Sequence, residues 1–201
     1  MKEIKLIAIG GSAGSLQVIL DLLDVLPPDF PIPMLVVLHR NGLLASGLEE
    51  LLAARTKLRC KEVEEKEPIV PGTLYLCPPD YHVLVEQDHS FSLDYSERVH
   101  FCRPSIDVTF LSAAEAYTSR LLALLLSGGN ADGSEGLLSV KERGGVTLVQ
   151  DPATAEVAFM PARAIDSVKP DLVIQAAEIP PFIRKLGAGL PPGQAHFATT
   201  G

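Results

Sequence analysis

Gly10-Gly11-Ser12-Ala13-Gly14 stands directly after the first apolar run of the chain, and its spacing admits three chemistries. A dinucleotide fingerprint requires Gly-x-Gly-x-x-Gly, whereas Ser12 and Ser15 occupy its third and sixth positions. That fingerprint also wants a carboxylate at the end of the second strand to hold a ribose, where this chain has His39 and Arg40. A P-loop requires Gly-Lys-Ser/Thr, and none follows. The third chemistry is a nucleophile, Ser12, raised on a tight strand-to-helix turn. Its glycines leave substrate room, and the following helix start turns N–H groups toward a forming anion. Small residues also make plain turns and N-caps, so Ser12 reads as a nucleophile only if a base stands beside it.

His39 is the candidate base. It closes the apolar run "MLVVLH" (34–39), and in an open parallel sheet functional groups gather outside the carboxyl ends of the strands. If the first two strands are neighbours, Ser12 and His39 rise on one edge. His82 and His89 fall in a β-rich middle region, His196 in the tail, and His100 is marked only by preceding "FCRPS". The orienting carboxylate is Asp132, in the loop that leaves the most apolar run, "RLLALLLSG" (120–128). A calcium loop would need several spaced carboxylates, and this stretch has one before Glu135. Asp132 can accept from one imidazole nitrogen and stabilise the imidazolium. The order Ser–His–Asp differs from that of α/β-hydrolases, which run Ser–Asp/Glu–His.

The elements that must position these groups alternate. A strand over 4–10, a helix over 16–26 stopped by Pro27-Pro28, a strand over 34–39 and a helix over 44–55 read as β-α-β-α. Short runs at 58–63, 73–78, 82–87 and 90–95 read as a β-rich insertion with an antiparallel ribbon turning at Gln87-Asp88. Alternation resumes with a helix over 105–117 capped by Ser105, a strand over 120–128, and a helix over 134–143 closed by Gly144-Gly145. A strand over 146–150, a short helix over 161–167, a strand over 172–175 and a helix over 179–187 complete it. The expected fold is α/β, a mainly parallel sheet with helices on both faces, in one domain over 1–187. Residues 188–201 lack periodicity and are expected to form a mobile tail.

Composition narrows the function. In 201 residues, 47% hydrophobic content supports one sizeable core, and a net charge of −8 argues against nucleic acid. Three cysteines without a C-x-x-C pair argue against a disulfide framework or structural zinc. The N-terminal apolar run is too short for a signal peptide, and no window is long enough to insert in a membrane. The expectation is a cytoplasmic protein with reduced thiols.

Five ordered stretches carry a resemblance: "LIAIGGSAGSLQVI", "VVLHR", "CRPSIDVTF", "LLSGGNADGSEGL" and "VQDPATAEVAFMPARAI". Over about residues 4–187 the chain resembles the catalytic domain of the chemotaxis receptor glutamate methylesterases, the CheB family. The resemblance implies a Ser–His–Asp triad at Ser12, His39 and Asp132. It also implies hydrolysis of glutamate γ-methyl esters on methyl-accepting chemotaxis receptors and deamidation of certain receptor glutamines, with neither metal nor cofactor. The family's nucleophile loop commonly reads Gly-Ala-Ser-Thr-Gly-Gly; here Gly11, Ala13 and Ser15 differ. Cys102 stands where the family often has His and is expected to support the site. Gly129 stands where Met is common, and its N–H, with that of Ala13, is the expected oxyanion donor. Phe159-Met160-Pro161 replaces Gly-Met-Pro, which makes Met160 an expected substrate contact; Arg103 is expected either to hold an acidic receptor segment or to make a structural ion pair. Family members usually carry an N-terminal receiver domain. With a first strand at Ile4, the chain is expected to be a standalone esterase or a piece of a longer protein. Two alternatives stay open: a serine hydrolase of another ester or amide, and a catalytically silent signalling or nucleotide-binding module.

Overall fold

The structure, a computed structural model, describes residues 2–39, 47–188 and 195–197. In chain order the elements are β1 (Lys2–Ile4), β2 (Leu6–Gly11), α1 (Leu16–Val25), β3 (Met34–Leu38), α2 (Leu48–Ala53), β4 (Arg59–Glu62) and β5 (Thr73–Leu76). They continue with β6 (His82–Val85), β7 (Phe91–Asp94), α3 (Ile106–Tyr117), β8 (Leu121–Leu125), α4 (Ser134–Glu142) and β9 (Val146–Gln150). The last are α5 (Phe159–Val168), β10 (Leu172–Ile174), α6 (Ile179–Gly187) and β11 (Ala195–Phe197).

Seven strands form one sheet in the order β10-β9-β8-β2-β3-β5-β4, and every neighbouring pair is parallel. The central strands are apolar throughout because both faces are covered. Alternate residues of β2 show the division. Ile7 and Ile9 join the core with Ile19, Leu22 and Leu23 of α1 and Ile183 of α6. Leu6 and Ala8 join Ile106 and Phe110 of α3, Leu137 of α4 and Ala164 of α5 on the other face. Among the described residues no helix is long and apolar enough to cross a membrane.

Two readings of the sequence need correcting. Only β6 and β7 make the antiparallel ribbon; β4 and β5 belong to the main parallel sheet. The connection between β4 and β5 contains no helix. Instead it runs along the ribbon, where Lys66 and Ile69 donate backbone N–H bonds to Phe91 and His89. Parallel pairing usually needs a longer, helical crossover, so short runs without one read as part of a separate insertion. The tail is also not structureless throughout: β11 pairs antiparallel with β1. Three residues are too few to show a period of two. The rest of the expected tail beyond Ala188, and the start of the helix expected over 44–55, lie outside the described residues.

Candidate active site

The strand order reverses at β2. The chain leaves β2 for β3, β4 and β5 on one side and returns to β8 on the other. Loops at the carboxyl ends diverge at such a point and leave a crevice. Gly11 is in register with Leu38, so Ser12 and His39 occupy the next rung of neighbouring strands, roughly 4.8 Å apart in the sheet direction. The His39 N–H donates to Gly11 O at 3.2 Å, and the Ser12 N–H donates to Ser127 O at 2.9 Å. Ser12 O accepts the Ser15 N–H at 3.1 Å and the buried Ser15 hydroxyl at 2.6 Å. The Ser12 backbone is thereby tied to both adjoining strand ends and to its own helix start. The N–H groups of Ala13 and Gly129 have no hydrogen bond among the described residues.

Asp132 is fully buried at the N-terminus of α3. Its Oδ2 accepts from His39 Nε2 at 2.7 Å and from the Ile106 N–H at 2.8 Å. Its Oδ1 accepts from the Ser105 hydroxyl at 2.8 Å and the Asp107 N–H at 3.0 Å. A glycine at position 10 permits this approach of α3, because a Cβ there would stand 2.4 Å from Ile106 Cγ2. Burial pushes the Asp132 carboxyl up, but the bonds from His39, Asp107, Ile106 and Ser105 outweigh it and hold the group down at about 2. Burial likewise pushes the His39 imidazole down. Its bonds to Asp132 and Cys102 win, and it titrates at about 9.

With Nε2 committed to Asp132, Nδ1 is the imidazole nitrogen left for proton transfer. Cys102 Sγ lies 3.5 Å from it and accepts a hydrogen bond from Asn130 Nδ2 at 3.3 Å. Among the described residues the Ser12 hydroxyl makes no hydrogen bond to His39; such contacts are often long before substrate arrives. Ligand atoms of His39, Cys102 and Asp132 lie within 4.8 Å of one another. Each Asp132 oxygen already accepts two hydrogen bonds, so a cation there would have to displace them.

Of the other expected site residues, Ala13, Gly129 and Cys102 adjoin the crevice. Arg103 stacks 3.8 Å over the Tyr95 ring and donates to Tyr95 O at 3.2 Å and Ser96 O at 2.7 Å, which anchors it to the segment after β7. Met160 is fully buried and packs under Gly128, where a Cβ would meet Met160 Cε at 2.5 Å and Ser12 Cβ at 3.1 Å. It supports the crevice floor from inside and offers substrate no exposed face. The sequence reading did not find the roles of Asp107, Asn130 and His82. Buried His82 accepts the Ser105 N–H on Nδ1 at 3.1 Å and donates from Nε2 to Glu97 O at 3.0 Å. Ser105 was legible as a helix cap, but nothing local tells its hydroxyl to turn toward Asp132.

The family model described as CheB methylesterase matches residues 7–183. A Leptospira interrogans protein, provisionally named protein-glutamate methylesterase/protein-glutamine glutaminase, is 43% identical over 86% of this chain and 90% of its own length. A Maricaulis maris protein-glutamate methylesterase/protein-glutamine glutaminase is 34% identical over 92% of this chain and 47% of its own length. This chain thus spans nearly all of the first relative and about half of the second. The crystal structure of the Thermotoga maritima CheB methylesterase catalytic domain superposes with a TM-score of 0.85 at 33% identity, covering 91% of this chain and 98% of that one.

Proposed function

This chain belongs to the CheB methylesterase family, and from that premise we propose that it hydrolyses glutamate γ-methyl esters on chemotaxis receptors with Ser12 as nucleophile. The observation that carries the reading is the 2.7 Å His39–Asp132 pair, set one sheet rung from Ser12 at the strand reversal. When an ester enters, the Ser12 hydroxyl takes the place of Cys102 at Nδ1 and gives up its proton there. Ser12 Oγ attacks the carbonyl carbon, and the N–H groups of Ala13 and Gly129 receive the oxyanion. The imidazolium, steadied by Asp132, protonates departing methanol. Water, deprotonated by the same nitrogen, then cleaves the acyl-enzyme and regenerates Ser12. A receptor glutamine would follow the same path with ammonia leaving. The residues described supply nucleophile, base and oxyanion donors from the chain itself, and the reading calls on no cofactor. It places the chain in the cytoplasm, where a receptor's signalling helices lie.

Methanol release from methylated receptor, with Ser12→Ala as control, tests this. The expected loss is on the order of 10⁶ in kcat, as when a serine nucleophile is removed elsewhere. Turnover that survives Ser12→Ala, or a fluorophosphonate that labels another residue, would count against the assignment.

A further inference from the structure

A second imidazole and a second carboxylate lie next to the first pair. Val99 and Cys102 exchange backbone hydrogen bonds at 3.1 and 2.8 Å, closing a two-residue hairpin over His100 and Phe101. Both central residues have positive φ, 50° and 63°. Such turns favour Asn-Gly, and each bulkier residue held there costs on the order of 1 kcal/mol. The hairpin therefore needs ties to the domain. Cys102 supplies one, through Asn130 and His39. The other is His100, whose Nε2 stands 3.5 Å from Asp107 Oδ2. Asp107 is buried in the first turn of α3; its Oδ1 accepts the Gly136 N–H at 2.7 Å, while Oδ2 is buried and accepts no hydrogen bond. A buried carboxylate oxygen without a donor is costly, and a small approach of the His100 N–H, with Nε2 3.5 Å away, would relieve it.

We propose that His100 and Asp107 form a positioning pair that holds the Val99–Cys102 hairpin down, and with it the Cys102 thiol against the working nitrogen of His39. The proposal rests on the reading of His39 as the base. It links the two carboxylates at one helix start to separate tasks. Asp132 orients the ring through Nε2, and Asp107 sets what stands at Nδ1. The groups facing Asp107 are Asp132 from the loop after β8, His100 from the hairpin, and the uncharged N–H groups of Gly133 and Gly136 from α4 and its start. Burial and the charge of Asp132 push the Asp107 carboxyl up to about 6. Above that pH the carboxylate accepts the His100 N–H strongly; below it, the protonated acid accepts it weakly.

The test alkylates Cys102 with iodoacetamide, followed by peptide mass mapping, in the wild type, His100→Ala and His100→Gln. The ratio of variant to wild-type rates at each pH cancels the thiol's ordinary titration. At about pH 7.5 the expected ratio is about fivefold, the shift that loss of a contact worth about 1 kcal/mol produces, with a fall in Tm of no more than about 2–4 °C. At about pH 5 the ratio should fall to near one, because the wild type has already lost the pair. Asp107→Asn should resemble the His100 variants and show no step near pH 6. A ratio near one at about pH 7.5, or one that does not change with pH, would overturn the pair. Fluorophosphonate labelling of Ser12 runs in parallel as a separate readout of the nucleophile. Its failure in the wild type would strike the nucleophile assignment, while the Cys102 ratio still decides the pair.

Discussion

The two sides of the His39 ring are built in opposite ways. On the Asp132 side, four hydrogen bonds converge on one fully buried carboxylate at a helix start. On the Cys102 side stand a long sulfur contact, two residues at positive φ, and Phe101 with 93% of its surface exposed. The first side cannot adjust without breaking α3. The second can, because little apolar contact holds it and its polar ties are few. Catalysis by a shared imidazole needs this difference. One nitrogen must stay oriented, while the other exchanges partners as a proton moves.

Asp132→Asn attacks the rigid side and should have the largest effect. The amide sets the wrong imidazole tautomer, a change that costs about 10⁴ in rate in a serine protease. It also turns an NH₂ toward the donors of Ser105, Ile106 and Asp107, so the melting temperature should fall as well. Methanol release and melting curves on the same preparation separate the two losses. Full activity in the folded variant would remove Asp132 from the mechanism.

Gly128→Ala tests the floor under the nucleophile. Its Cβ would stand 2.5 Å from Met160 Cε and 3.1 Å from Ser12 Cβ, so one of them must move. A nucleophile displaced by about 1 Å typically loses about 10²-fold in kcat. An unchanged rate would mean that Met160 yields and Ser12 does not depend on it.

The pH dependence sharpens the contrast from the ring itself. If His39 is the base, as proposed, it must be neutral to act, and with its imidazole pushed up to about 9 kcat/KM should rise about tenfold per pH unit from neutrality and level off near 9. Stability moves the other way. The folded imidazole holds its proton above the ordinary histidine range of about 6.5, so its contribution is complete below that value and is lost as pH rises through 9. A plateau already at neutral pH would show that Cys102 and Asp132 do not hold the proton on the ring.

Much of the rigid side was legible in the sequence, and little of the adjustable one. Ser12, His39 and Asp132 each follow an apolar run, and parallel strands deliver such residues to one edge whatever the surroundings. Ile106 and Phe110 could likewise be assigned to a helix from their spacing. What failed depends on contacts between distant segments. β4 and β5 looked like part of the insertion because their crossover leans on the ribbon and not on a helix of its own. Arg103 reads as a free cation until Tyr95 and its carbonyl are placed beneath it. Met160 looks available to substrate until α5 buries it. The pairing of Asp107 with His100 leaves no local trace, since one caps a helix turn and the other sits in a loop.

The smallest expected effect lies at the tip of the adjustable side. Phe101 has a φ of 63° and a side chain that is 93% exposed, so it gives up little packing when removed. Glycine adopts that backbone freely, but its more disordered unfolded chain offsets part of the relief. The net gain for Phe101→Gly should be about 0.5–1 kcal/mol, or roughly 1–4 °C in Tm for a domain of this size. The backbone bonds between Val99 and Cys102 do not involve the ring, so Cys102 should keep its place and its slow alkylation. A lower Tm would mean that the ring contributes packing that its exposure conceals. A higher Tm with faster Cys102 alkylation would mean that the Phe101 side chain itself, beside the pairing of His100 with Asp107, helps to seat the thiol.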